Sequence, residues 1–162
     1  MIKIKHLLLL ACFTVCFTAC KKNEIEEFDH LAQFSKDTAA ISAFVKTNNI
    51  TGGTMDPVVG IYYKIIEPGQ GNVKFTTATS IKFDYVGRFL NGSIFDESKT
   101  TAGPFFLGEM ITGWYFGIPK IQEGGKIRLI VPSYYAYGNR GNERIPANSV
   151  LDFDITLVDV VE

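Results

Sequence analysis

The chain has 162 residues, of which 46% are hydrophobic and 20% are charged. This composition fits one globular domain with an additional segment, and it excludes wholesale disorder. The formal net charge of −1 gives no basic surface for nucleic acid.

The first 19 residues have the layout of a secretion signal. Two lysines precede an apolar run that extends from Leu7 to about Ala19. This run is too short to span a bilayer as a helix. We therefore predict a lipoprotein signal peptide over residues 1–19 that is removed from the mature protein.

A cysteine follows the predicted signal directly. The stretch Phe17-Thr18-Ala19-Cys20 resembles the lipobox of bacterial lipoproteins, in which the cysteine becomes the lipidated first residue. Acyl chains on Cys20 would hold the protein at a lipid bilayer, because each buried methylene contributes about 0.8 kcal/mol. We expect a membrane-anchored lipoprotein outside the cytoplasm, on the outer membrane and facing the periplasm or the cell surface. An ordinary signal that is cut elsewhere is the alternative.

Loss of the signal changes the cysteine inventory and the charge. Cys12 and Cys16 fall inside the removed segment, so the mature chain keeps only Cys20 and has no disulfide framework. Without Lys3 and Lys5, 14 basic residues remain against 17 acidic ones, a net charge of −3. We expect no nucleic-acid partner.

A charged segment without periodicity covers residues 20–27, and we predict a lipid-anchored tether there. Apolar residues then recur at helical spacing: Phe28, Leu31, Phe34, Ile41, Phe44 and Val45. This pattern predicts an amphipathic helix that ends at Asn48-Asn49, within an N-terminal helical extension and linker over residues 28–59. Its apolar stripe packs on the same domain or on a second copy, so a homodimer through this helix is one of the expectations.

Beyond Pro57 the hydrophobic period changes from 3.6 to 2 residues. Four segments alternate in this way: 61–66, 81–85, 127–131 and 151–157. They predict an antiparallel sheet that is covered on one face and exposed to water on the other. Pro68-Gly69 is typical of a type II turn, and Asn91-Gly92 predicts a hairpin that leads back into residues 93–97.

One further segment can form a helix, "MITGWYFGIPKIQE" at residues 110–123. Pro119 removes a backbone hydrogen bond, so we expect about two turns that end or kink there. The predicted fold class is α+β, with a curved antiparallel sheet wrapped on one short helix.

Most catalytic arrangements lack the residues they need. His30 is the one histidine that follows the signal, so neither a Ser-His-Asp nor a Cys-His arrangement can be built in the domain body. A zinc site would have only carboxylates as ligands. Asp152 and Asp154 lie on the predicted solvent face and are interpreted as exposed carboxylates. We expect no metal and no cofactor, and any reaction must proceed without a strong acid, base or nucleophile.

Four motifs resemble a known family: "FDYVGRFLNGSIFDES", "FFLGEMITGW", "VPSYYAYGNRG" and "IPANSVLDFDITLVDV". Together they are similar to the FKBP-type peptidyl-prolyl cis/trans isomerases, in the order of that family and nearly at its spacing. The resemblance covers residues 60–162 and implies an FKBP-type isomerase domain there, a half-barrel of antiparallel strands around a short helix. The lipobox and the N-terminal helix resemble the lipoprotein members found in the Bacteroidetes.

The resemblance also implies a proline-binding pocket between sheet and helix. The residues that match catalytic positions are Tyr85, Asp96, Ile111 and Tyr137. The residues that match substrate-binding positions are Phe95, Met110, Trp114, Ile145 and Phe153, with Trp114 as the floor. The Tyr137 ring is expected to lean over the pocket, while Tyr135 packs beneath the loop and Tyr134 lies nearer water. The short segment 105–107 leaves one aromatic wall of the pocket without an assigned residue.

Simpler interpretations of these residues remain open. Trp114, Phe95 and Phe153 can be ordinary core residues, because aromatic side chains at such positions usually pack. Asp96 can cap a turn or pair with Tyr85 without acting on a substrate.

The implied function is peptidyl-prolyl cis/trans isomerisation that assists the folding of exported proteins, with X-Pro segments of those polypeptides as substrates. Catalysis would be non-covalent, because an apolar pocket favours the twisted amide over the planar one. The alternative is a lipid-anchored, chaperone-like or assembly-factor binding module with little turnover. The presence together of Tyr85, Asp96, Trp114, Tyr137 and Phe153 favours the enzyme.

Overall fold

The structure is a computed structural model, and it describes residues 28–161. The predicted signal peptide, the lipobox with Cys20 and the predicted tether lie outside the described residues. Within residues 28–161, no helix is both long and apolar enough to cross a bilayer.

The predicted N-terminal helix is α1 (His30–Thr47). It begins where the side chain of Asp29 accepts a hydrogen bond from the Ala32 backbone amide at 2.9 Å. It ends at the two asparagines, where Asn49 takes the left-handed conformation with φ of 51°. The helix and its stop signal are therefore confirmed.

In the described part of the chain, seven strands form one antiparallel sheet. They are β1 (Thr54–Met55), β2 (Tyr62–Glu67), β3 (Ser80–Phe89), β4 (Ile94–Glu97), β5 (Ala102–Phe106), β6 (Lys126–Val131) and β7 (Leu151–Val161). Their order is β1-β2-β6-β7-β3-β4, and β5 pairs with β3. The four alternating segments are confirmed as β2, β3, β6 and β7, and the Asn91-Gly92 turn joins β3 to β4. Alternation predicts neither β1, which is too short to show it, nor β5, whose Gly103-Pro104 is typical of a turn.

The predicted short helix is α2 (Thr112–Gly117), followed by a 3-10 turn over Ile118–Lys120. Pro119 stands at the start of that turn, so it ends the α-helix as expected. The α+β architecture, a curved sheet wrapped on one short helix with an added N-terminal helix, is confirmed.

Two glycines let α2 lie very close to β6. A Cβ atom at Gly113 would stand 2.4 Å from Val131 Cγ1, and one at Gly117 would stand 2.2 Å from Leu129 Cδ1. Larger residues at these positions would push the helix away from the sheet. The main core lies between the short helix and the sheet. It includes Ile81, Phe83, Trp114, Ile118, Ile127, Leu129, Val131, Leu151, Phe153, Ile155 and Leu157.

The second face of the sheet is not left entirely to water. Ile41 of α1 is fully buried there against Tyr62 and Ile130. The apolar stripe of α1 therefore packs on the chain's own domain, which was one of the two expectations for it.

The prediction that Asp152 is an exposed carboxylate is wrong. Asp152 lies opposite Ile130 in the β6–β7 register and is 2% exposed. Arg128 donates to it twice, from Nε at 2.9 Å and from Nη2 at 2.6 Å. The alternation places Asp152 on the correct face, but it cannot show that other parts of the chain bury that face. Asp154 accepts from Arg88 at 2.6 Å and stays partly exposed.

Candidate active site

A pocket of about 490 Å³ opens where β3, β4, α2 and the loop after β6 meet. Its lining comprises Phe83, Tyr85, Phe95, Asp96, Ala102, Phe105, Glu109, Met110, Ile111, Trp114, Tyr137 and Phe153. The volume lies within the range of about 300–1,000 Å³ that is usual for small-ligand sites. The lining is mostly aromatic or aliphatic, with a few polar groups, which is the composition of a specific ligand site.

Trp114 closes the inner end of the pocket. It is 4% exposed and stands at the start of α2. Three rings meet it edge to face, with centroid distances of 4.8 Å to Phe83, 5.5 Å to Tyr85 and 5.6 Å to Phe153. This arrangement is favourable for aromatic rings and fixes the indole plane. Trp114 is therefore part of the core and lining of the pocket at the same time.

A glycine in β3 gives Phe95 its position. A Cβ atom at Gly87 would lie 2.5 Å from Phe95 Cζ and 3.1 Å from Phe153 Cε1. With no side chain at Gly87, the Phe95 ring crosses the strand and meets Phe153 edge to face at 5.7 Å. The two rings form one side wall of the pocket.

The β3–β4 hairpin brings Tyr85 and Asp96 together. The Tyr85 hydroxyl donates to Asp96 Oδ2 at 2.6 Å. Burial raises the pKa of Tyr85 well above its usual value of 10.0, and the hydrogen bond to Asp96 raises it further. Arg144 approaches the other carboxylate oxygen, with Nη1 3.7 Å from Oδ1. Asp96 is therefore paired with Tyr85, as the simpler interpretation has it, and it also lines the pocket.

The three tyrosines of the loop after β6 lie in three different environments. Tyr134 is exposed, Tyr135 packs against the main core, and Tyr137 lines the pocket. Burial raises the pKa of Tyr137, and the nearby charge of Asp96 adds to this effect. The Tyr137 hydroxyl is thus protonated at neutral pH and available as a hydrogen-bond donor.

A backbone amide is also free at the pocket. Ile111 directly precedes α2 with φ of −55° and ψ of 145°. Among residues 28–161, no group accepts a hydrogen bond from the Ile111 amide. Met110 lies beside it in the lining. The pocket therefore offers one unpaired N–H group and one hydroxyl to a ligand carbonyl.

Ile145 lies beside the pocket rather than in its lining. It is buried, and it lines a neighbouring depression of about 350 Å³ that also includes Arg144. The depression shares Phe95, Asp96 and Tyr137 with the main pocket. The structure thus brings together the remaining eight predicted pocket residues, and it places Ile145 next to them.

The sequence reasoning missed four lining residues: Phe83, Ala102, Phe105 and Glu109. Phe83 alternates with Tyr85 on the same face of β3, a signal that could have identified it. Phe105 fills the aromatic wall that had no assigned residue, with its ring 6.1 Å from that of Phe83. It reaches this position because β5 pairs with β3, so that Phe105 stands opposite Ile81. The pairing has no local signal in the sequence.

Comparison with known proteins identifies the family. The model of the family described as FKBP-type peptidyl-prolyl cis-trans isomerase matches residues 71–158 of the chain. This chain belongs to the FKBP-type peptidyl-prolyl cis-trans isomerases. The matched range contains every lining residue of the pocket, whereas α1 lies outside it.

Individual relatives of this FKBP-type chain agree. The FKBP-type peptidyl-prolyl cis-trans isomerase FkpA of Escherichia coli K12 is 34% identical over 140 residues, 85% of this chain and 46% of that protein. FK506-binding protein 1 of Saccharomyces cerevisiae is 42% identical over 100 residues, which cover 59% of this chain and 88% of that protein. The chain spans about half the length of the FkpA-type relatives it matches.

A solved structure matches the fold of this FKBP-type chain as well. The crystal structure of a peptidyl-prolyl cis-trans isomerase from Pseudomonas syringae has a TM-score of 0.66 and 28% identity. The match covers 84% of this chain and 98% of that one. The FKBP-like sheet and short helix are therefore shared with a protein that has been solved by experiment.

Proposed function

We propose that this protein catalyses cis/trans isomerisation of X-Pro peptide bonds and so assists the folding of exported polypeptides. The observation that carries the proposal is the pocket itself. Trp114 closes an aromatic cavity whose mouth carries the free Ile111 amide and the Tyr137 hydroxyl. A proline ring fits such a cavity, and the two donors suit the peptide carbonyl beside it.

The reaction needs little chemistry from the protein. The barrier of about 20 kcal/mol arises because the twisted transition state loses amide resonance. A planar amide is more dipolar than a twisted one, so an apolar site disfavours the ground state more than the transition state. A millionfold acceleration requires about 8 kcal/mol, and no proton has to move. An aromatic pocket without a strong acid or base is consistent with this reaction.

Four groups have proposed roles at the reacting bond. The Ile111 amide and the Tyr137 hydroxyl hold the carbonyl of the residue before proline, or a neighbouring carbonyl, while the bond rotates. Asp96 supplies an acceptor and a negative field near the twisting nitrogen. Tyr85 fixes the orientation of Asp96 through its 2.6 Å hydrogen bond. Trp114, Phe95, Met110 and Phe153 provide the apolar surface for the ring, and Ile145 contacts the adjoining residue of the substrate.

The test is a protease-free assay of cis-to-trans isomerisation on short X-Pro peptides that differ in the residue before proline. We expect rapid turnover by the wild-type protein, a fall in kcat/KM of about fivefold in Tyr137→Phe and a strong loss in Asp96→Val. Circular dichroism of each variant checks that the fold is intact. A folded wild-type protein that turns over none of the peptides would contradict the proposed activity and would favour the binding-module alternative. The exposed apolar side chains of Leu31 and Val58 are the surface that such a module would offer to a partner.

We also propose that the protein is a lipoprotein anchored through Cys20 outside the cytoplasm, on the outer membrane. The support is the lipobox-like sequence alone. Growth with a radiolabelled fatty acid should label the wild-type protein and leave Cys20→Ala unlabelled. Label that persists in Cys20→Ala would rule out that anchor, and fractionation of the two membranes tests the location.

Homodimerisation through α1 stays a prediction. Most of the apolar stripe already packs on the domain, and Leu31 at the N-terminal end of α1 is 82% exposed. Sedimentation equilibrium of the wild-type protein and of Leu31→Glu tests it. A wild-type dimer that Leu31→Glu converts to a monomer supports the interface, and a wild-type monomer refutes it.

A further inference from the structure

We infer that Asp37 of α1 is a positioning residue for the loop that carries Tyr137, so that the helix outside the family-matched range is part of the working site. The inference rests on the proposed isomerase function for its catalytic consequence. Its structural basis is a buried carboxylate that joins α1 to the loop after β6.

Asp37 is held in place by three hydrogen bonds. It is 3% exposed, although it stands on a helix that faces solvent on its other side. Its Oδ2 accepts from the Ser133 amide at 2.8 Å and from the Ser133 hydroxyl at 2.6 Å. Its Oδ1 accepts from Gln33 Nε2 at 2.7 Å. A buried carboxylate is costly unless its oxygens are satisfied in this way, so the contact specifies one arrangement of helix and loop.

Ser133 passes this constraint on to Tyr137. The Ser133 carbonyl accepts hydrogen bonds from the Ala136 amide at 2.9 Å and from the Gly138 amide at 2.8 Å. Ala136 and Gly138 are the two neighbours of Tyr137 in the chain. The turn that carries the Tyr137 ring is therefore hydrogen-bonded to Ser133, the residue that Asp37 fixes in place. Without Asp37, the Ser133 amide and hydroxyl would lose their partner in a buried place.

A second contact reinforces the link. Phe34 of α1 meets Tyr135 edge to face with centroids 6.1 Å apart, and Phe116 of α2 meets the same tyrosine at 5.5 Å. Tyr135 thus lies between the N-terminal helix and the helix whose start carries Ile111. Asp37 therefore acts on a loop that is already packed against both helices, and its role is to fix the turn.

A double-mutant cycle on the full chain tests the inference. If Asp37 acts by placing the Tyr137 hydroxyl, Asp37→Ala should lower kcat/KM about fivefold, as should Tyr137→Phe, because one hydrogen bond contributes about this factor. The double variant should then lose no more than either single variant. Independent effects would instead multiply to about 25-fold, and that result, or full activity in Asp37→Ala, would overturn the inference.

Two further variants separate positioning from general destabilisation. Ser133→Ala removes only one of the two Ser133 bonds, so it should show a smaller loss with the same dependence on Tyr137; it also serves if Asp37→Ala fails to fold. Ile41→Val weakens the packing of α1 but leaves the Asp37 contact intact, and it should retain wild-type kcat/KM. A loss in Ile41→Val equal to that in Asp37→Ala would assign the effect to helix docking in general and would refute a specific role.

Amide hydrogen exchange provides a readout that does not depend on turnover. Exchange at Ala136 and Gly138 should accelerate in Asp37→Ala, while exchange at Leu129 within β6 should not change. If the wild-type protein proves inactive, the proposed function fails, and exchange alone decides whether Asp37 holds the loop. Unchanged exchange at Ala136 and Gly138 would refute the inference whatever the activity.

Discussion

Replacing Tyr85 with phenylalanine removes the hydroxyl that donates to Asp96 at 2.6 Å and keeps the ring against Trp114. A hydrogen bond to a charged group contributes about 1.5–3 kcal/mol. The Asp96 side chain is 44% exposed, so water replaces part of the lost interaction. We therefore expect the free energy of unfolding to fall by about 1 kcal/mol. For a domain of this size, that corresponds to a fall in Tm of about 2–4 °C.

The alkaline limb of the stability curve gives an independent signature of the same hydroxyl. The pKa of Tyr85 is raised in the folded protein by burial and by Asp96, from the usual value of 10.0. Above pH 10 the unfolded chain therefore releases this proton while the folded chain retains it, so stability falls as the pH rises. Tyr85→Phe lacks this group, and its stability should fall less steeply between pH 10 and pH 11.

Activity should respond as well, because Asp96 loses the donor that orients it. We expect kcat/KM to fall about fivefold in the isomerisation assay. Tyr62→Phe is the matched control: its hydroxyl donates to the Ile50 carbonyl at 3.3 Å on the other face of the sheet, and its kcat/KM should stay at the wild-type value. Thermal unfolding by circular dichroism across pH 7–11 completes the test. An unchanged Tm together with an unchanged alkaline slope in Tyr85→Phe would refute the reasoning, as would an equal loss of activity in Tyr62→Phe.

Three other changes probe the pocket wall, the helix and the buried ion pair. Phe105→Ala removes an aromatic wall, so KM for X-Pro peptides should rise about three- to tenfold while the melting temperature changes little; an unchanged KM would contradict its place in the site. Gly117→Ala should destabilise the fold by about 1–3 kcal/mol in urea titration despite the better helix propensity of alanine, because its Cβ would meet Leu129; a gain in stability would show that the helix shifts at no cost. Arg128→Ala should lower the free energy of unfolding by about 3 kcal/mol, because Asp152 stays buried without its partner. Adding Asp152→Ala should restore part of that stability, and a further fall in stability would contradict this account.

The sequence by itself determined the elements whose signals are local. The hydrophobic period located α1 and four strands, because a helix repeats every 3.6 residues and a strand every two. Asn91-Gly92 located the β3–β4 hairpin, and Pro119 located the end of α2, since both act on their own backbone. The family motifs identified nine pocket residues, and eight of them line one cavity.

Only the tertiary structure decided which residues meet across long stretches of chain. Phe105 joins the pocket because β5 pairs with β3, and its own neighbourhood looks like a turn. Asp152 is buried because other parts of the chain cover its part of the second face of the sheet. Alternation within β7 cannot predict this cover. Asp37 meets Ser133 across 96 positions of sequence. The physical reason is the same in each case: periodicity fixes the direction of a side chain, whereas burial and partners depend on where the rest of the chain packs.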